Sequence, residues 1–102
     1  MKILLICGNG ISSGIIAQHI AQEGRKKGIA NMEASAYSYA ELPEVIDQFD
    51  AVLIGPQMKF NEAGIKKICD EYKKPFAFID DMTYATLDGK KGLELAQKIL
   101  GA

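Results

Sequence analysis

The stretch Ile3-Leu4-Leu5-Ile6-Cys7-Gly8-Asn9-Gly10-Ile11-Ser12-Ser13-Gly14 decides how the rest of the chain is read. Its first four residues are continuously apolar, the pattern of a strand buried on both faces of a parallel sheet. Gly8, Gly10 and Gly14, with Asn9, permit a tight loop with positive φ angles and close backbone approach. Ser12 or Ser13 then offers to cap a helix, in which Ile16, Ile20 and Gly24 recur every four residues. Arg25, Lys26 and Lys27 fall in its last turn, where cations suit the helix dipole, and Gly28 can end it.

Outward from this unit the pattern repeats. Ala51–Ile54 is another continuously apolar run, and Phe76–Ile79, opened by Pro75, is a third. Residues 32–37 differ: Met32, Ala34 and Ala36 alternate with Glu33, Ser35 and Tyr37, as in a half-exposed edge strand. A second helix is expected after Ser38, where Ser38-x-x-Glu41 fits a capping box and Leu42, Val45, Ile46 and Phe49 form an apolar stripe. Ile65, Ile68, Cys69 and Tyr72 mark a third helix, and Leu93, Ala96, Ile99 and Leu100 a last one after Asp88-Gly89. Strands alternating with helices define an α/β fold, expected as one domain over residues 1–102. Right-handed crossovers place successive parallel strands side by side. With the half-polar strand at an edge, the order is 2-1-3-4, a four-stranded parallel sheet with helices on both faces and a Rossmann-like topology. The switch point then lies between strands 1 and 3, and ligands bind there beyond the carboxyl ends. Cys7 closes strand 1 at that point.

Composition narrows the function. Of 102 residues, 48% are hydrophobic and 25% charged, which excludes a disordered tail, a collagen-like repeat and a coiled coil. Roughly two-thirds of the unfolded surface can be buried at this length, so no staple is required. Lys+Arg 12 against Asp+Glu 13 gives a net charge of −1, with no surplus to track a nucleic-acid backbone. Cys7 and Cys69 form no CxxC motif, and a single His excludes a His/Cys zinc site; no metal is expected. No apolar run approaches the ~20 residues that span a bilayer. The opening run is too short for a signal peptide, and Gly8-Asn9-Gly10 interrupts it. A cytoplasmic chain with free thiols is the expectation, and the lack of terminal linkers suggests a separate polypeptide.

The loop after Cys7 is a phosphate cradle built without a basic side chain. Its N–H groups can converge on an anion, the helix N-terminus adds partial positive charge, and Ser12 and Ser13 add hydroxyl donors. A helix N-terminus favours the thiolate form of a neighbouring cysteine, and a thiolate is a good nucleophile. The glycines match a dinucleotide fingerprint only loosely, because the third is displaced and no clear ribose-binding acid ends strand 2. No GK[ST] occurs, so there is no Walker A motif. Phosphoryl transfer through a cysteinyl phosphate is the chemistry that uses every part.

The segment Ile6–Gly14 resembles two families that share such a loop. Low-molecular-weight protein tyrosine phosphatases place an arginine six residues after the cysteine to clamp the phosphate; here that position is Ser13. The lactose/cellobiose family of enzyme IIB, from the bacterial phosphoenolpyruvate-dependent sugar phosphotransferase system, has a loop similar to Cys-x-x-Gly-x-Ser-[Ser/Thr], matched by Cys7, Gly10, Ser12 and Ser13. Gly55-Pro56-Gln57 resembles that family's Gly-Pro-Gln, and Ile79-Asp80 with Tyr84 resembles its Ile-Asp-x-x-x-Tyr. The resemblance covers nearly the whole chain.

It implies a cytoplasmic phosphotransferase. Cys7 would accept a phosphoryl group from a phosphohistidine of enzyme IIA and pass it to a sugar on membrane-embedded enzyme IIC. The sugar would be a β-linked disaccharide such as cellobiose, chitobiose or lactose. Gly8, Asn9, Gly10, Ile11, Ser12, Ser13 and Gly14 would hold the phosphate. No separate cofactor is implied beyond the covalent phosphocysteine. The chain is expected to be a monomer that reaches the inner face of the membrane only through enzyme IIC and binds no nucleic acid. A carrier without the arginine would hold its phosphate without promoting attack by water. Asp81 would repel that phosphate unless it points away.

Two alternatives stay open from the residues themselves. One is a phosphatase with Cys7 as nucleophile and Asp80 or Asp81 as proton donor. The other is a regulatory module whose loop only senses an anion. His19 lies seven residues beyond Ser12, about 10 Å along a helix, too far for a Cys–His dyad, and is read as solvent-facing. Cys69 is read as core. Tyr37 and Tyr39 are read as packing residues, or as a docking rim with Gln57, Met58 and Phe60.

Overall fold

A computed structural model of the chain describes residues 1–7 and 11–101, with only the backbone of Ile11 and Ser12. Four strands pair in parallel: β1 (Lys2–Cys7), β2 (Glu33–Ser38), β3 (Ala51–Ile54) and β4 (Phe76–Phe78). Their order is β2-β1-β3-β4, as the burial pattern predicts. β1 pairs with β2 from Lys2↔Glu33 to Cys7↔Ser38 and with β3 from Ile3↔Ala51 to Ile6↔Ile54. Phe76–Ile79 reads as fully buried, yet β4 is the other edge and its three residues are half-buried. An apolar run of three or four residues carries no signal of how many neighbours it has.

Side-chain alternation splits the core into two layers. Ile3, Leu5, Ala51 and Leu53 meet Ile16, Ala17 and Ile20 of α1 (Ile11–Lys26) and Leu93 and Ala96 of α5 (Gly89–Ile99). Leu4, Ile6, Val52 and Ile54 meet Leu42 and Ile46, and also Ile65 and Cys69 of α3 (Glu62–Glu71). Leu42 opens the four-residue helix α2 (Leu42–Val45), which lies between two 3-10 turns, Tyr39–Glu41 and Ile46–Gln48. The expected regular second helix is thus broken, although its stripe is buried where it should be. Pro43 sits in the first turn of α2 and has no N–H to bond backwards, so the preceding segment takes the tighter 3-10 form. The Glu41 carboxylate accepts from both the N–H and the hydroxyl of Ser38, at 3.1 and 2.9 Å.

α1 begins at Ile11, so Ser12 and Ser13 lie inside its first turn and neither is the cap expected of them. A cap residue keeps extended backbone ahead of the helix, and these two are already helical. At the other end Gly28 has φ +75°, and the Gly28 and Ile29 N–H groups bond back to the carbonyls of Arg25 and Gly24, which closes the helix. One further short helix, α4 (Asp81–Ala85), occupies the segment after β4.

α1 and α5 approach closely because α5 turns glycines toward α1. A methyl group at Gly92 would meet the side chain of Ile20, and one at Gly89 would overlap the backbone carbonyl of His19. A side-chain tip can move aside; a helix backbone cannot without shifting the helix. Gly89→Ala is therefore expected to destabilise the fold by about 2 kcal/mol, an overpacking cost larger than any gain in helix propensity. Gly14→Ala, with nothing within 4 Å of the added carbon, serves as control. Urea denaturation of the three proteins measures the difference.

Candidate functional site

The carboxyl end of the sheet gathers the residues singled out from sequence. Cys7 is the last residue of β1 and only 4% exposed. By strand alternation it shares a face with Ile3 and Leu5, the side covered by α1 and α5. Gly8, Asn9 and Gly10 lie outside the described residues. Ile11, Ser12 and Ser13 form the first turn of α1, whose amides have no partner within the helix. Gly14 follows in the same helix and leaves its surroundings open.

Ser13 is 1% exposed and its hydroxyl is 3.0 Å from that of Tyr84 in α4. The Tyr84 oxygen also accepts from the Gln57 side-chain amide at 3.1 Å. Gln57 belongs to a six-residue 3-10 segment, Pro56–Asn61, that follows β3 through Gly55. Three chain segments that leave the same end of the sheet are thereby joined by two hydrogen bonds. Sequence reasoning placed Gln57 on a docking rim and left the role of Tyr84 undecided. Only the tertiary fold brings positions 13, 57 and 84 together.

Asp80 is the N-cap of α4: its carboxylate accepts from the Thr83 N–H at 2.6 Å. The backbone hydrogen bond from Thr83 holds its pKa below the ordinary carboxylate value, and the Thr83 side chain lowers it further. An exposed carboxylate tied to its own backbone is a poor proton donor, which disfavours Asp80, though not Asp81, as the acid of a hydrolytic mechanism. Asp81 is the exposed first residue of α4. Together with Pro56, Lys59, Phe78, Ile79 and Asp80 it lines a shallow hollow of about 340 Å³.

His19 is not free in solvent. It is half-buried, and its Nδ1 donates to the Leu87 carbonyl at 2.7 Å, which fixes the ring proton on that nitrogen. Cys69 is fully buried in the core, and desolvation followed by the Asp70 charge pushes its thiol up to about 11. Tyr37 packs edge-on against Phe49 at 6.3 Å. Of the expected rim, Met58 is buried and Phe60 is 84% exposed; Met82, which sequence reasoning passed over, is 68% exposed. Among the described residues no cluster of His, Cys, Asp and Glu could hold a metal ion. No helix there is long and apolar enough to cross a membrane.

A four-stranded parallel sheet of order β2-β1-β3-β4, with a cysteine ending a central strand and helices on both faces, defines a doubly wound α/β protein. Residues 2–95 match the family of lactose/cellobiose-specific IIB subunits of the phosphotransferase system. The chain is 34% identical over 99 residues to the oligo-beta-mannoside-specific EIIB component of Bacillus subtilis, covering 97% of this chain and 95% of that protein. It is 35% identical to the cellobiose-specific IIB component of Borrelia burgdorferi, whose solution structure superposes with a TM-score of 0.76 over 99% of this chain and 92% of that one. The lactose-specific IIB domain of Streptococcus pneumoniae shares the fold, with a TM-score of 0.81 at 19% identity over 97% and 96% of the two chains. The chain belongs to the lactose/cellobiose family of IIB components and is a sugar phosphotransferase subunit.

The Asp80 cap carries a pH signature. A carboxyl whose pKa is lowered on folding adds stability above its unfolded value, about 3.9, and loses it as pH falls through the lower folded value. Asp80→Ala is expected to lower the melting temperature at neutral pH. The gap to the parent chain should close progressively below the ordinary carboxylate range, as thermal melts over an acid pH series would record.

Proposed function

We propose that Cys7 is the phosphoryl carrier of this subunit. What carries the reading is its position: the last residue of the central strand, ahead of the first turn of α1, in a chain of this family. In the accepting step the Cys7 thiolate sulfur attacks the phosphorus of a phosphohistidine on enzyme IIA. The P–N bond breaks and its electron pair returns to the imidazole. In the donating step a sugar hydroxyl held by membrane enzyme IIC attacks the same phosphorus. Its proton passes to a base in the sugar site, the P–S bond breaks, and Cys7 leaves as thiolate. No cofactor enters either step.

The residues from Gly8 to Gly14 hold the phosphoryl group, mainly through main-chain N–H groups and the hydroxyls of Ser12 and Ser13. The partial positive charge of the α1 N-terminus acts on the same oxygens. Transfer between enzymes requires that water be the slower acceptor, and an ionised, capped Asp80 is suited to that. The sugar is a β-linked disaccharide such as cellobiose, chitobiose or lactose; the specificities named for the similar proteins, oligo-beta-mannoside, cellobiose and lactose, share that linkage. The chain works as a monomer in the cytoplasm, at the inner face of the membrane when enzyme IIC engages it.

Incubation with phosphoenolpyruvate, the general phosphotransferase proteins and a cognate enzyme IIA is expected to add one phosphoryl group, mapped to Cys7 by intact-mass and peptide analysis. Cys7→Ser should abolish the adduct with little change in the melting curve. Label on His19, or no label, overturns the reading. Steady turnover of an aryl phosphate would favour the hydrolase instead, and anion affinity unchanged in Cys7→Ser without any transfer would favour a sensing module.

A further inference from the structure

We infer that Tyr84 is a positioning residue for phosphotransfer, oriented by Gln57 and acting on the phosphoryl group through Ser13; the inference rests on Cys7 being the carrier. A phenol has one proton to give. The Gln57 amide donates to the Tyr84 oxygen at 3.1 Å, and the 3.0 Å bond between the Tyr84 and Ser13 hydroxyls, which either group could donate, is assigned in this inference from phenol to serine. With its oxygen so occupied, Ser13 keeps its own O–H proton to donate elsewhere. So assigned, the chain of bonds runs from amide to phenol to serine and ends in the first turn of α1.

Position and burial support the direction. Ser13 is 1% exposed, so its hydroxyl is held away from competing water. Tyr84 packs against the same core layer as Ile3 and Leu5, the face of β1 to which Cys7 belongs. Bonds in such a chain polarise one another, so a dianion at Cys7 would strengthen each link back to Gln57. The device supplies a neutral donor of set orientation. It stabilises charge on the transferring group without placing a fixed cation there, so the group is held and still released.

The test uses the full chain with phosphoenolpyruvate, the general phosphotransferase proteins and a cognate enzyme IIA. Tyr84→Phe keeps the ring and removes only the oxygen. It should slow phosphorylation of Cys7 about ten-fold, equivalent to about 1.4 kcal/mol of barrier, and move the phosphorus-31 resonance of the phosphocysteine. Ser13→Ala should do the same, and the double variant should be no slower than Ser13→Ala alone, since the two act in series. In the parent chain, carbon-13 at the Tyr84 ring carbon bearing the oxygen should shift when Cys7 is phosphorylated. That measurement needs no folded variant of Tyr84. A Tyr84→Phe protein that is phosphorylated at the parental rate with an unmoved phosphorus resonance overturns the inference. So does multiplicative loss in the double variant, or a Tyr84 carbon signal indifferent to phosphorylation. Absence of label on Cys7 in the parent chain would instead remove the function on which the inference rests.

Discussion

Burial of β1 on both faces is the constraint on which the rest depends. Ile3, Leu4, Leu5 and Ile6 are all within 2% of complete burial, and they alternate between two helical layers. Each such side chain contributes about 1.5–3 kcal/mol relative to exposure. A one-residue slip would exchange the two faces and present Leu4 and Ile6 to surfaces shaped for Ile3 and Leu5. Register is therefore strongly specified, and with it the place of Cys7. The thiol stands where it does because the strand before it cannot move.

The same constraint decides which groups meet at the carboxyl end of the sheet. Parallel strands leave the sheet at one end, so the segments after β1, β3 and β4 converge there, although no local sequence pattern fixes which of their side chains meet. Ser13, Gln57 and Tyr84 come from these three exits. Asp80 comes from one of them too, yet its carboxylate is spent on capping α4. The end of the sheet thus offers hydroxyls and amides, with the neighbouring acid held ionised. That balance accords with the proposed carriage of a phosphoryl group between proteins.

On the Cys7 face, helix placement depends on small residues. Gly89 and Gly92 let α5 lie against α1, and His19 ties the contact by donating to Leu87, whose φ of 54° is unusual for a bulky residue. Such a backbone persists only where its surroundings hold it. α1 carries the candidate site at its first turn, so this packing at its flank steadies the frame in which the site is built.

The strands, their order and three of the helices were legible in the sequence because apolar runs, period-two alternation and i, i+3, i+4 spacing report burial directly. The place of Cys7 at the end of a buried strand was legible too, since the apolar run before it and the glycines after it mark where the strand stops. Residues 32–37 showed their edge character through polar alternation, whereas Phe76–Ile79 did not, because hydrophobicity counts apolar neighbours and not strands. The 3-10 breaks around Pro43, the inward turn of Ser13 and the half-buried state of His19 belonged to tertiary structure alone. Local periodicity is set by a residue's own neighbours in the chain, but a hydrogen bond between positions 13 and 84 depends on how all the intervening layers stack.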